Sequence, residues 1–227
     1  MSKSHVNDAA YMVDRGIITP KNDDVDMLNE MIVNRLPGEE RILYSFDSVE
    51  DDTRNLYQQE FLNSISPSAM PPHQLTIKKG VPVMLLRNID PKMGLCNGTK
   101  LTCRGSYNNL IDAEILSGQF AGTRVFLPRI SIKSGENSGL PFEMIRKQFP
   151  VKLCFALTIN KSQDQTIPNV GIYLPDHVFS HGQLYVALSR GTSEASTKVL
   201  VKKASLVGEE GVFTKNVVYK EILLPSS

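Results

Sequence analysis

The sequence has little that would carry it across or out of a membrane. Its longest apolar run, Val81 to Leu86, falls far short of the roughly 20 residues that span a bilayer. Met1 to Gly16 carries no apolar segment, so neither a membrane protein nor a secreted one is expected. Cysteine is scarce. Cys96, Cys103 and Cys154 are odd in number and form no C-x-x-C pair, which argues against a disulfide framework and for a reducing compartment. The sequons at Asn97 and Asn160 then carry no glycan. Zinc spacing is missing as well, because Cys96 and Cys103 stand too far apart for a finger and no H-E-x-x-H surrounds His177 or His181. No repeat or low-complexity tract is present. There is also no G-x-x-x-x-G-K-[ST] phosphate loop; Gly94 to Lys100 has the letters in another order, at a turn. Ile42 to Asp47 imitates a magnesium-binding strand end, but without a phosphate-loop lysine upstream it reads as a strand leaving the core.

What is present is ordinary globular composition, with 41% apolar and 22% charged residues over 227 positions. That length suits one large domain, or one domain carrying a smaller insert. The net charge of +1 conceals a strong asymmetry. Residues 1–73 hold 6 Lys/Arg against 13 Asp/Glu, residues 74–163 hold 13 against 5, and residues 164–227 hold 6 of each. A basic middle is the footprint of a polyanion partner; a solvated face matched by the acidic first third gives the same numbers.

Periodicity and turn residues divide the chain into three regions. In the first, Gly16 to Pro20 reads as a short buried strand and Asn22 as the cap of a helix, with Asp23, Asp24 and Asp26 in its first turn. Val25, Leu28, Ile32 and Leu36 fall on one face before Pro37-Gly38 stops the helix. Glu39 to Ser48 offers another strand and Tyr57 to Asn63 a short helix, cut off by Pro67, Pro71 and Pro72. The second region is all short strands: 75–77, 81–86, 101–104, 111–116 and 125–127, with Asn97-Gly98 as a hairpin signal. The third returns to α/β alternation, with strands at 153–156, 170–174 and 199–201. A helix follows Ser180, which with Gln183 forms a capping box. Regions one and three read as halves of one α/β domain, and region two as a β-barrel inserted into it.

The densest polar constellation, Leu157 to Thr166, directly follows a predicted strand. Ligands of open α/β sheets bind beyond strand carboxyl ends, and Thr158, Asn160, Lys161 and Ser162 supply donors suited to phosphate oxygens. An ordinary polar connection would have the same composition.

Thr158-Ile159-Asn160-Lys161-Ser162-Gln163-Asp164-Gln165-Thr166 resembles motif V, and Gly182-Gln183-Leu184-Tyr185-Val186-Ala187-Leu188-Ser189-Arg190 resembles motif VI, of superfamily-one DNA helicases. The nearest resemblance is to the Pif-type helicases of Helitron transposons. Phe61 to Ser64, Met70 to His73, Pro82 to Asn88 and Leu95 to Thr99 resemble that family in the same order, and the resemblance runs from about Gly16 to Leu224.

That resemblance implies an α/β fold: a second RecA-like domain of the P-loop NTPase type, with a small SH3-like barrel inserted. Residues 14–66 and 150–227 would form the two parts of the RecA-like domain 2A, and 67–149 the insert 2B. Arg190 would be the catalytic arginine that reaches the ATP γ-phosphate from across the cleft. As a helix C-terminal arginine it is also favoured by the dipole alone. Gln165 and Thr166 would lie on the nucleotide side of motif V. Thr158, Asn160, Lys161 and Ser162 would line the DNA track with Thr19, Lys21 and Asn22 of the motif IV loop, although capping accounts for Thr19 and Asn22 equally well. The implied partners are single-stranded DNA and an N-terminal RecA-like domain missing here, with no membrane. ATP and Mg2+ belong to the complete helicase, and this chain alone is expected to bind neither. Translocation 5′ to 3′ and a nuclear location follow from the same resemblance. A transposon-derived module that binds single-stranded nucleic acid without ATPase activity is the competing reading. One departure stands out: the family usually has glycine, which tolerates positive φ and close backbone approach, where this chain has Asp164, which takes up the left-handed conformation less readily and adds negative charge near bound phosphates.

Overall fold

The computed structural model describes residues 11, 14–50, 56–67, 70–135, 138–202 and 211–219. Its elements, in chain order, are β1 (Arg15–Thr19), α1 (Asn22–Arg35), β2 (Glu40–Tyr44), β3 (Phe46–Val49), α2 (Gln59–Ser64), β4 (Gln74–Lys78), β5 (Pro82–Leu85), β6 (Lys100–Ser106) and β7 (Leu110–Ile115). They continue with β8 (Arg124–Pro128), β9 (Ile130–Lys133), β10 (Met144–Gln148), β11 (Val151–Leu153), β12 (Ala156–Thr158), β13 (Asn169–Leu174), α3 (Gln183–Leu188) and β14 (Thr197–Val201). Among the described residues no helix is long and apolar enough to cross a membrane.

The chain divides into two compact units, one of residues 10–32 and 155–227, the other of residues 1–9 and 33–154. The first is built on a parallel sheet of order β12-β1-β13-β14. Its strands are short and β-branched, as suits strands covered on both faces. Ile18, Ile159, Ile167, Val170, Ile172 and Leu174 form the core against Val178 and Ala187. The edge of β12 is closed by a side chain. The buried Asn29 of α1 accepts from Ala156 N at 2.9 Å and donates to Ala156 O at 3.2 Å, so its amide takes the place of a further strand.

The second unit is antiparallel throughout, with sheets β11-β5-β6-β7-β8, β3-β10-β9 and β2-β4. β8 alternates between buried and exposed positions, whereas β5 is buried along its whole length; Val83, Leu85, Leu101, Ala113, Ile115 and Leu127 lie in the core.

Several elements differ from the sequence reading. The strand expected over 39–48 is interrupted at Ser45, which leaves β2 paired with β4 and β3 with β10. These pairings carry residues 40–49 into the antiparallel unit, and the compact units part at Ile32/Val33 and Cys154/Phe155. The strand expected over 153–156 is two strands on either side of Cys154, one in each unit. Asn97-Gly98 does not form a two-residue hairpin. It centres a turn, with Thr99 N donating to Cys96 O and Gly98 at φ 90°, inside the longer link from β5 to β6. Asn88 and Thr99 side chains hold that link in shape. β9 and β10 are strands that the sequence reading did not contain; they pair with each other, and β10 also with the distant β3. At the helix starts, Asn22 is the first helical residue of α1 rather than its cap, and α3 starts after a left-handed Gly182 rather than from a Ser180 box.

Candidate functional site

The parallel sheet brings the expected site residues to the carboxyl ends of two neighbouring strands. Thr19 ends β1 and Thr158 ends β12, and the two are direct partners across the sheet. Ile159 N donates to Thr19 O at 3.0 Å, which ties the two loops that follow. After β12 the chain makes a 3-10 turn over Asn160–Ser162, whose Lys161 N donates to Thr158 Oγ1. Arg190, just past α3, reaches the same turn. Its Nη1 donates to Gln165 O at 3.2 Å and to Ser162 O at 3.4 Å, while Nε returns to Val186 O and Nη2 bonds Ser189 Oγ. Residue 191 has to be glycine here, because a Cβ would collide with Thr197 Oγ1.

The candidates separate by exposure. Asn22, Asn160, Lys161 and Thr166 face solvent, as does Lys21, whose Nζ pairs with Asp176 at 2.9 Å. That hydrogen bond holds the Lys21 ammonium above its ordinary pKa, so an arriving phosphate has to displace a carboxylate. Thr19, Thr158 and Ser162 are buried. Ser162 Oγ turns inward to donate to Ile159 O at 2.7 Å, and Thr19 Oγ1 is buried with no partner among the described residues. Gln165 is half-buried and donates from Nε2 to Lys161 O.

The family described as DNA helicase Pif1, 2B domain, matches residues 60–105. The ATP-dependent DNA helicase PIF1 of Xenopus laevis is 32% identical over 181 residues, which cover 78% of this chain and 26% of that protein. The Bdellovibrio bacteriovorus Pif1 helicase is 31% identical, covering 70% of this chain and 35% of its own length. Among solved structures, Pif1 helicase from Candida albicans superposes with TM-score 0.61 at 26% identity over 83% of this chain and 45% of that one. The chain belongs to the Pif1-type helicases, as a C-terminal part.

Bacteroides Pif1 in complex with ADP-AlF3 and single-stranded DNA shares the fold, with TM-score 0.66 at 20% identity over 97% of this chain and 47% of that one. The Pif1-type chain thus spans about a quarter to a half of the relatives it matches.

Asp164, where Pif1-type resemblance implied glycine, has φ 60° and is the single non-glycine residue with positive φ among those described. The left-handed conformation costs a side chain with a Cβ on the order of 1 kcal/mol. Asp164→Gly is expected to remove that strain together with one negative charge, and Asp164→Asn to remove the charge alone. Single-stranded DNA affinity should rise in both variants, more in the glycine one. Equal, unchanged affinities in a fluorescence titration would show that the loop's conformation has no bearing on binding.

Sequence reasoning missed the buried lock of the antiparallel unit. Arg146 and Asp47 form a bidentate pair, both contacts at 2.8 Å, with both side chains fully buried. Arg146 also donates to Leu62 O, Ile65 O and Pro71 O, which fastens the proline-rich segment after α2. Ser45 Oγ donates its one proton to Asp47 Oδ1, so the 2.7 Å contact from His73 Nδ1 to Ser45 Oγ puts a proton on Nδ1. Both Asp47 oxygens are therefore engaged by Arg146 and Ser45 within the unit. Among the described residues no cluster of His, Cys, Asp or Glu is arranged for a metal. Of the cysteines and histidines weighed for zinc, Cys103 is buried and its thiol pushed up to about 11, while His177 and His181 accept the amides of Lys215 and Tyr219. No local signal announces the lock, because Arg146 stands 99 residues from Asp47.

Proposed function

We propose that this chain is the nucleic-acid-binding and arginine-donating portion of an ATP-dependent, 5′ to 3′ DNA helicase. By the motif resemblance, residues 14–66 and 150–227 are assigned to RecA-like domain 2A and 67–149 to an SH3-like 2B insert, while β2, β3 and α2 pack within the antiparallel unit; the antiparallel five-stranded sheet supports a barrel-type insert. The observation that carries the reading is the convergence of Thr19, Thr158, the Asn160–Ser162 turn and Arg190 at one end of the parallel sheet. Lys21, Asn22, Asn160 and Lys161 would track phosphates of single-stranded DNA, with the buried Thr19, Thr158 and Ser162 shaping the loops beneath. Gln165, Thr166 and Arg190 offer amide, hydroxyl and guanidinium donors that complement a nucleotide whose phosphate cradle and magnesium ligands are supplied by an N-terminal RecA-like domain. ATP with Mg2+ supplies the phosphoryl transfer there. The Helitron assignment and the nuclear location rest on the motif resemblance alone.

The absence of a phosphate loop from the sequence favours a second reading for the chain by itself: a single-stranded nucleic-acid-binding module without turnover. Both readings predict that the isolated chain hydrolyses no ATP and binds single-stranded DNA weakly, without sequence preference and with strong salt dependence. Lys161→Ala should weaken binding uniformly and flatten the log-log salt slope by about 0.7, the share of one phosphate contact. Anisotropy titrations over a salt series measure this, and an unchanged slope would remove Lys161 from the track. Joining the chain to a matching first domain separates the readings, since only the helicase gains DNA-stimulated turnover.

A further inference from the structure

Arg41 on β2 and Arg129, between β8 and β9, converge on Asn108 in the turn joining β6 to β7. Arg129 Nε donates to Asn108 O at 2.9 Å, and its Nη1 donates to Tyr44 O at 2.7 Å and to the side chain of buried Gln148 at 2.8 Å. Arg41 Nη2 donates to Asn108 Oδ1 at 2.9 Å and Nη1 to Ser106 O. Every one of these acceptors is neutral. Arg104, Arg124 and Arg146 are matched to Glu114, Asp112 and Asp47, whereas no carboxylate among the described residues pairs with Arg41 or Arg129. Arg129 Nη2 and Arg41 Nε have no acceptor among those residues, and both side chains are only half-buried. Arg129 lies 4.6 Å over the Phe149 ring and 5.6 Å from that of Phe46, and burial draws its pKa down. Desolvating a cation without a counter-charge is costly. Beside the pair, Tyr44 and Phe46 are 53% and 65% exposed.

We propose that Arg41 and Arg129 form a binding site for a phosphate monoester, as carried by a nucleoside 5′-monophosphate or a 5′-phosphorylated strand end, with the base stacked on Phe46. A guanidinium fork matches phosphate oxygens, and the nearly two negative charges of a monoester match two arginines better than the single charge of a diester. An exposed aromatic face accepts any base. The site uses no residue of the parallel sheet and stands independently of the helicase reading.

Calorimetric titration with thymidine 5′-monophosphate tests the proposal, with thymidine as the control ligand. Saturable binding of the nucleotide and none of thymidine is expected. Arg41→Gln and Arg129→Gln should each weaken it about tenfold or more, the loss of a charge-assisted hydrogen bond, and Arg124→Gln should not. Competition by a 5′-phosphorylated oligothymidine, absent with its 5′-hydroxyl counterpart, would identify a strand end as the source; no competition by either would leave the free nucleotide. No saturable nucleotide binding, or an equal loss in all three variants, overturns the site. Should Arg129→Gln fail to fold, Arg41→Gln decides alone.

Discussion

Asp47→Ala is expected to destabilise the antiparallel unit by about 3–5 kcal/mol, the cost of leaving a buried charge without its partner. Arg146 is fully buried, and its five acceptor atoms belong to Asp47, Leu62, Ile65 and Pro71. Without the carboxylate the guanidinium keeps only backbone carbonyls, which cannot neutralise it, and Ser45 and His73 lose their anchor as well. The double replacement Asp47→Leu with Arg146→Met should recover most of the loss, because an apolar pair avoids the desolvation of both ions. Urea melts of Asp47→Leu, Arg146→Met and the double close a mutant cycle, with Asp47→Ala measured beside them. A single-variant cost below about 1 kcal/mol, as for an exposed ion pair, would show that water reaches the pair.

Arg190→Ala, in the chain joined to a matching first RecA-like domain, should lower the ATP turnover number by about a thousandfold or more, the usual worth of a trans-acting arginine in phosphoryl transfer. Arg190→Lys should recover little, because an ammonium lacks the planar fork. The same guanidinium bonds Ser162 O and Gln165 O, so alanine could also loosen the motif V turn. Single-stranded DNA affinity of the isolated variant distinguishes the causes. Affinity within about twofold of the parent, beside collapsed turnover, assigns Arg190 to the nucleotide. A turnover loss below tenfold would leave it as a clip between α3 and the motif V turn.

What the sequence determined was local. Pro37-Gly38 stops α1 because proline cannot continue a helix and glycine takes the φ of 114° found at position 38. The unbroken apolar run of β5, buried along its whole length, reads directly from the letters. The φ of 60° at Asp164 lies where the motif resemblance implied glycine, the residue that takes up such a backbone freely. Tertiary structure alone decided which strands pair, and with that the meaning of several residues. The break at Ser45 has no strong signal in the sequence, yet it sends β2 to β4 and β3 to β10 and makes Asp47 the partner of Arg146. Asn29 looks like an ordinary polar helix residue until α1 lies against the open edge of β12. Ser162 reads as a surface donor until the 3-10 turn rotates it inward to Ile159 O. In each case the partner lies across the fold or depends on the exact turn of the backbone. The free energy of satisfying a buried polar group is then fixed by packing that no short window of sequence contains.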